Sequence, residues 1–361
     1  MSEPERHVVV AGWSGTDNLG DELLLRVLLN ELTSRNVHAT VISRRPEATT
    51  TSHGVESIGL GDVRGLWRAL SSADALVLGP GTIIQDQTGP TSLPWHLARV
   101  PEAMARRVPI VGVGLGVGPL TRWGSRALTG AALRRCSTVA VRDQASADLL
   151  AVCGVVDNVV VGADLTLRLT PPQQHATSNH LAVCLRPHAP GGHLIPLRHL
   201  PADSMDAQRI AGLARGLDDL ANRLGMPVRL VAMDTARDTP FSEAVASQMH
   251  SPTEVVVPDL DTVLDEIASA QMVVAMRYHG GICALLAGRP VVLIGYADKV
   301  KNLADQIGPG AALVADSVAG YASLATAALG LVGSEAAVLN ARERLRPLAG
   351  VHVDALDQLL G

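Results

Sequence analysis

In MRYHGG (276–281), Arg277 and His279 stand two positions apart, between the apolar run QMVVA and the stretch ICALLAG. That placement puts a guanidinium and an imidazole where a strand gives way to a helix. The first turn of a helix directs unpaired backbone N–H groups outward. An anion arriving there would meet a helix N-terminus, an arginine fork and an imidazole together. The structural alternative is an ion pair between Arg277 and an acid of another domain, with His279 satisfied in the core. Arg186 ends a second apolar run, LAVCL, just before Pro187, where a guanidinium is costly unless it is paired or faces a cleft. Lys299 lies in GYADKVKNLADQIG (295–308), one turn into another helix-forming segment. Arg186, Arg277, His279 and Lys299 together read as a phosphate or carboxylate site.

Acids gather at other strand ends. GWSGTDNLGDE (12–22) supplies Asp17, Asn18 and Asp21, and its glycines allow a tight turn into a helix; Asp17 or Asp21 could equally serve as a plain helix cap. PGTIIQDQTG (80–89) ends on Gln85 and Asp86. The glycine-rich GVGLGVGPL (112–120) is not a dinucleotide-binding motif. The third glycine of G-x-G-x-x-G would fall on Val117 or on Pro119, depending on the starting glycine. Close approach of that backbone to a ligand stays open. The sequence contains no metal-ligand cluster, P-loop or G-x-S-x-G motif.

The elements that must position these residues alternate along the chain. Continuous apolar strands are expected at 7–13, 37–43, 75–79, 109–116, 138–142 and 158–162, with helices between them. This is the pattern of a parallel sheet covered on both faces. RLTPPQQHATSNH (168–180) breaks the rhythm and reads as a linker. The alternation restarts with strands at 181–187, 227–233, 253–257, 271–276 and 290–295 and a helix near 204–224; the last 60 or so residues read mostly as helix. The expectation is α/β, with two Rossmann-like domains, 1–170 and 180–361, whose parallel sheets face each other across a cleft. Ligands in such sheets bind beyond the carboxyl ends of the strands.

A chain that is 47% hydrophobic and 18% charged is composed like a folded protein, and a net charge of −5 with 2% aromatic residues gives no reason to propose a nucleic-acid partner. The four cysteines form no CxxC pair and fit a reducing compartment. The N-terminus lacks the apolar core of a signal peptide, and no apolar run reaches the ~18 residues of a membrane span. A cytoplasmic protein is therefore expected. The basic stretch ARERLRPLAG (341–350) leaves peripheral contact with the inner membrane face open.

These motifs, in this order, resemble the polysaccharide pyruvyltransferase family over roughly residues 8–310: GWSGTDNLGDE, GPGTIIQD, GVGLGVGP, VAVRDQASADLL (139–150), the strand bearing Arg186, and MRYH followed by GRPVVLIGYADKVKNL. The resemblance implies two Rossmann-like domains arranged as in GT-B glycosyltransferases. It also implies transfer of pyruvate from phosphoenolpyruvate to two sugar hydroxyls as a cyclic ketal. Arg277 and His279 match the family's Arg-x-His motif and Arg186 its donor-site arginine, so these residues, with Lys299, are expected to bind phosphoenolpyruvate. The chain departs from the family at Pro80, Tyr278 and Gly280-Gly281. His279, whose ordinary pKa is near neutrality, is the expected general acid. Asp21 and Asp86 are candidate bases, with Asp17 and Asp143 behind them, and Asp17, Asn18 and Gln85 are expected on the acceptor side. The expected partner is a glycan, a lipid-linked glycan or another sugar, and no cofactor or metal is implied. The competing reading is a GT-B-like glycosyltransferase using a nucleotide-sugar. The acceptor and the oligomeric state are not legible.

Overall fold

A computed structural model describes residues 6–87, 89, 91–172, 178–187 and 207–360. Eight parallel strands build the first sheet: β1 (Arg6–Ser14), β2 (Val37–Ser43), β3 (Glu56–Gly59), β4 (Ala75–Leu78), β5 (Gly81–Ile84), β6 (Ile110–Val117), β7 (Thr138–Val141) and β8 (Val159–Val161). Their order is β3-β2-β1-β4-β6-β7-β8, with β5 continuing along β6. The second sheet has six: β9 (Leu181–Cys184), β10 (Val228–Val231), β11 (Thr253–Val256), β12 (Met272–Ala275), β13 (Val291–Gly295) and β14 (Ala311–Ala315), ordered β11-β10-β9-β12-β13-β14. Helices cover both faces, so central strands such as Val8–Val10 and Val273–Ala275 are buried on each side. That double burial is why they read as unbroken apolar runs rather than as alternation.

The expected linker falls between the sheets; its residues 173–177 lie outside the described residues, as do 204–206 of the expected helix near 204–224, which is seen as Ala207–Leu224. Two features differ from expectation. The C-terminal segment contains β14, an apolar strand that pairs in register with β13. The last helix, Val351–Leu360, leaves the second domain and packs on β6 and β7 of the first. Its Ala355, Leu356 and Leu360 join the first domain's core, and His352 accepts from Gly114 N (3.1 Å) and donates to Ala163 O (2.8 Å). The basic stretch before it is spent internally: Arg342 donates to Leu286 O, Arg344 to Gln306 O and Arg346 to Leu169 O. Among the described residues, no helix is long and apolar enough to cross a membrane.

Candidate active site at the seam of the two sheets

Each sheet reverses its strand order once, between β1 and β4 in the first and between β9 and β12 in the second. The crevice outside such a reversal is where open α/β sheets hold ligands. The chemically promising segments meet there: residues 12–22 follow β1, Arg186 follows β9, and Arg277 to His279 follow β12. The start of the helix Leu19–Thr33 is laced onto the second domain. Leu19 N donates to Met233 O (2.8 Å), Thr235 N to Asp17 O (3.3 Å), and Asn18 forms an antiparallel bridge with Asp234. Asn18 is the actual helix cap, its Oδ1 accepting from Gly20 N, while its Nδ2 donates to Asp21 Oδ2 at 2.6 Å. Asp21 is thereby aimed at the second domain. Burial and neighbouring Glu22 push its pKa up to about 6, against the pull of Lys299, Asn18 and Arg277.

In the second domain, Arg277 is clamped. Its Nε donates to Asp238 Oδ2 at 2.8 Å, its Nη2 meets the other oxygen of Asp238, and Asp234 Oδ2 lies 3.3 Å from the same nitrogen. The structural alternative foreseen for Arg277 is thus realised, but with acids of its own domain, carried at and just after the start of the helix Thr235–Ala246. Arg186 and Lys299 differ: neither forms an ion pair with a carboxylate among the described residues. The Arg186 guanidinium lies 4.4 Å from the Tyr296 ring centre and Lys299 Nζ 5.9 Å from it; Lys299 is also 6.0 Å from the Tyr278 ring. The Nε of Arg186 is buried without a hydrogen-bond partner. Burial alone would raise the Tyr296 phenol, but Lys299, Arg186 and Arg277 outweigh it and bring the pKa down to about 7. Two cations without a carboxylate partner among the described residues, beside an acidified phenol, are the charge pattern that suits a multiply charged anion.

His279 lies beneath this cluster. Its side chain fills the space where a Cβ on Gly20 would be, 2.1 Å from Nδ1, so the helix of the first domain approaches so closely only because residue 20 is glycine. The ring of Tyr278 stands edge-on to His279, and Arg142 stacks on Tyr278 at 4.1 Å. Arg142 directly follows β7, donates to Thr82 Oγ1 and lies 3.4 Å from Asp143 and 3.6 Å from Asp164. Gly116 leaves room for that guanidinium, since a Cβ there would be 2.8 Å from Cζ. The glycine-rich stretch of β6 therefore accommodates an arginine at Gly116. Burial drives the His279 pKa down to about 4; Asp164 opposes the shift, and Arg142, Lys299 and Arg277 reinforce it.

The polysaccharide pyruvyl transferase family model matches residues 18–298, which include Asn18, Asp21, Arg142, Asp164, Arg186, Arg277 and His279 and end one residue before Lys299. The chain belongs to the polysaccharide pyruvyl transferase family. Solved structures of similar fold include proteins described with UDP or UDP-GlcNAc bound. The S. aureus MnaA–UDP structure superposes with a TM-score of 0.64 at 11% identity, covering 97% of this chain and 94% of that one. UDP-GlcNAc 2-epimerase from Neisseria meningitidis, bound to UDP-GlcNAc, gives 0.61 at 12% identity, with 98% and 99% covered. Anabaena Alr3699/HepE in complex with UDP and glucose gives 0.62 at 12%, with 99% of each chain covered. At such identities the likeness concerns the fold, and it agrees with the GT-B-like pairing of two Rossmann-like domains. No curated protein sequence matches the chain.

Within this family member, the structure brings Asp21, Asn18, Arg186, Arg277, His279 and Lys299 together and leaves others aside. Asp86 is a loop clamp: its oxygens accept from Thr121 N, Thr121 Oγ1 and Arg122 N, and these donors hold its pKa low although burial alone would raise it. A carboxylate so occupied is a weak base. Asp17 sits at the rim, paired with Arg45 at 2.6 Å. Gln85 folds back to accept from Gln87 N. Asp143 caps the helix Gln144–Val152 through Ser146 N. Burial holds the His279 pKa at about 4, below the ordinary value on which the general-acid expectation was based. Sequence reasoning missed Arg142, Asp164, Asp238 and Tyr296. Arg142 and Tyr296 carry the same signal as Arg277, a polar residue just after a buried strand. Asp164 and Asp238 carry no local signal, because their partners are distant in sequence.

Proposed function

We propose that this protein transfers pyruvate from phosphoenolpyruvate to two hydroxyls of a sugar in a polysaccharide or its precursor, forming a cyclic ketal. Family membership supports a pyruvyl transferase acting on polysaccharide, and the observation that carries the donor is the pair Arg186 and Lys299 flanking Tyr296 without a carboxylate partner among the described residues. Phosphoenolpyruvate offers a phosphate and a carboxylate, both of which suit an arginine fork and an ammonium. Arg277, neutralised by Asp238, contributes mainly by shaping the floor of the seat and by its long-range charge.

In the reaction the methylene carbon of the donor gains a proton and becomes the methyl group. The first hydroxyl adds to the adjacent carbon and gives up its proton, the carbon–oxygen bond to phosphate breaks, and the second hydroxyl adds and loses its proton. Two protons leave hydroxyls, one ends on carbon and one on phosphate. Asp21, with a pKa of about 6 and a position across the seam from the cations, is suited to exchange those protons near neutral pH. Asn18 orients it.

Thermal unfolding with phosphoenolpyruvate, and separately with UDP, tests the donor. A ligand that binds the native state raises Tm. We expect phosphoenolpyruvate to raise Tm in the wild type, and the rise to be lost in Arg186→Ala and Lys299→Ala. A rise with UDP alone would move the protein to the nucleotide-sugar reading.

A further inference from the structure

We propose that Asp164 is the positioning residue and counter-ion of His279, the pair forming across the domain seam. Asp164 follows β8 in the first domain, and His279 belongs to the helix Tyr278–Ala287 in the second. The separation His279 Nε2 to Asp164 Oδ2 is 3.8 Å, and the two residues are 9% and 1% exposed. Among the described residues neither atom has a partner at normal hydrogen-bond distance, although the Tyr278 hydroxyl also acts on the Asp164 carboxylate. Two complementary buried polar atoms, each unsatisfied and less than 1 Å beyond a good hydrogen bond, are costly unless they close on one another. Arg142 Nη1 competes for the same oxygen from 3.6 Å. The other carboxylate oxygen is already fixed, accepting from Thr166 N at 3.0 Å at the start of a short 3-10 turn, so Asp164 cannot swing away.

This pairing supplies what the reaction requires of a buried imidazole. The charged and titratable groups that act on His279 are Arg142, just after β7, Lys299 from the helix Asp298–Ile307, Arg277 and Tyr278 from its own junction, and Asp164. The cations disfavour a protonated ring, and Asp164 is the acid that opposes them. An anion on Arg186 and Lys299 offsets the cations, after which one proton from solvent gives the imidazolium, with Nε2–H donating to Asp164. This step rests on the phosphoenolpyruvate reading; the pairing itself does not.

Imidazole nitrogen shifts in two-dimensional NMR separate the two, with the His279 signal identified by its loss in His279→Gln. At pH 7 we expect wild-type His279 in the Nε2–H tautomer, because the facing carboxylate only accepts. Asp164→Asn keeps the cap on Thr166 and turns that face into an amide donor, so the ring should switch to Nδ1–H, while loss of the charge facing Arg142 lowers Tm without unfolding the chain at the NMR temperature. An unchanged tautomer in Asp164→Asn overturns the pairing. With saturating phosphoenolpyruvate, the wild-type ring should become doubly protonated and the Asn variant stay neutral. A tautomer switch without any response to phosphoenolpyruvate would keep the pairing and sink the donor assignment instead. Equal protonation in both proteins would overturn the counter-ion role.

Discussion

At the scale of single residues, the site depends on groups whose ordinary properties are altered by their neighbours. Asp21 binds its proton more tightly in the folded chain, with a pKa of about 6, than in the unfolded one, at 3.8. Its contribution to stability is therefore fully present below 3.8 and is lost as pH rises through about 6. Asp21→Asn removes that loss, so the Tm of the variant should gain on the wild type between pH 4 and pH 7 while turnover collapses. Gly20 is equally specific. In Gly20→Ala the new Cβ would lie 2.1 Å from His279 Nδ1, and the ring must move. Overpacking of this kind costs roughly 1–3 kcal/mol, and a displaced catalytic group can cost about 100-fold in rate. We expect both effects, read by chemical denaturation and by phosphate release, although alanine is the better helix former.

At the scale of elements, one helix organises the second domain's half of the site. The helix Thr235–Ala246 presents Asp238, completely buried, to Arg277 at the end of β12. Removing one partner of a buried, hydrogen-bonded pair leaves the other charge without compensation, at about 3–5 kcal/mol. Arg277→Ala should therefore destabilise the protein strongly, and Arg277→Ala with Asp238→Ala should recover part of the loss, as measured in a double-mutant cycle. A purely ligand-binding arginine would show no such recovery. The sequence exposed Arg277 because an arginine at the end of an apolar run is conspicuous. It could not expose Asp238, which lies 39 positions earlier in the sequence, where nothing local marks it as the partner of Arg277. Asp86 misled for the converse reason: a loop acid after a strand looks the same whether its oxygens face a cleft or, as here, the backbone of residues 121 and 122.

For the whole molecule, the seam between domains is a packed interface. Leu19 and Leu23 of the first domain share one apolar cluster with Val263, Ile267, Tyr278 and Ile282 of the second. Arg26 extends the contact to Asp261 at 2.7 Å and to Leu260 O. The C-terminal helix adds a second tie by returning to the first sheet. His352→Leu would leave Gly114 N and Ala163 O, both in the interior, without a partner, and each unsatisfied group costs about 1–3 kcal/mol. We expect a marked fall in Tm and faster hydrogen exchange in β6 and β7, although the substitution lies at the far end of the chain.

Strand-forming runs, the two α/β halves and the cationic strand ends at 186 and 277 follow from local composition, because burial on both faces imposes an apolar run and a charge that interrupts it stands out. Tertiary structure alone decided which charges remain without a carboxylate partner. Arg277 and Arg142 are matched by acids from remote segments, whereas Arg186 and Lys299 meet a phenol. Charge compensation and proton affinity depend on distances of a few ångströms between groups far apart in sequence, and that information exists only once the two sheets are brought together.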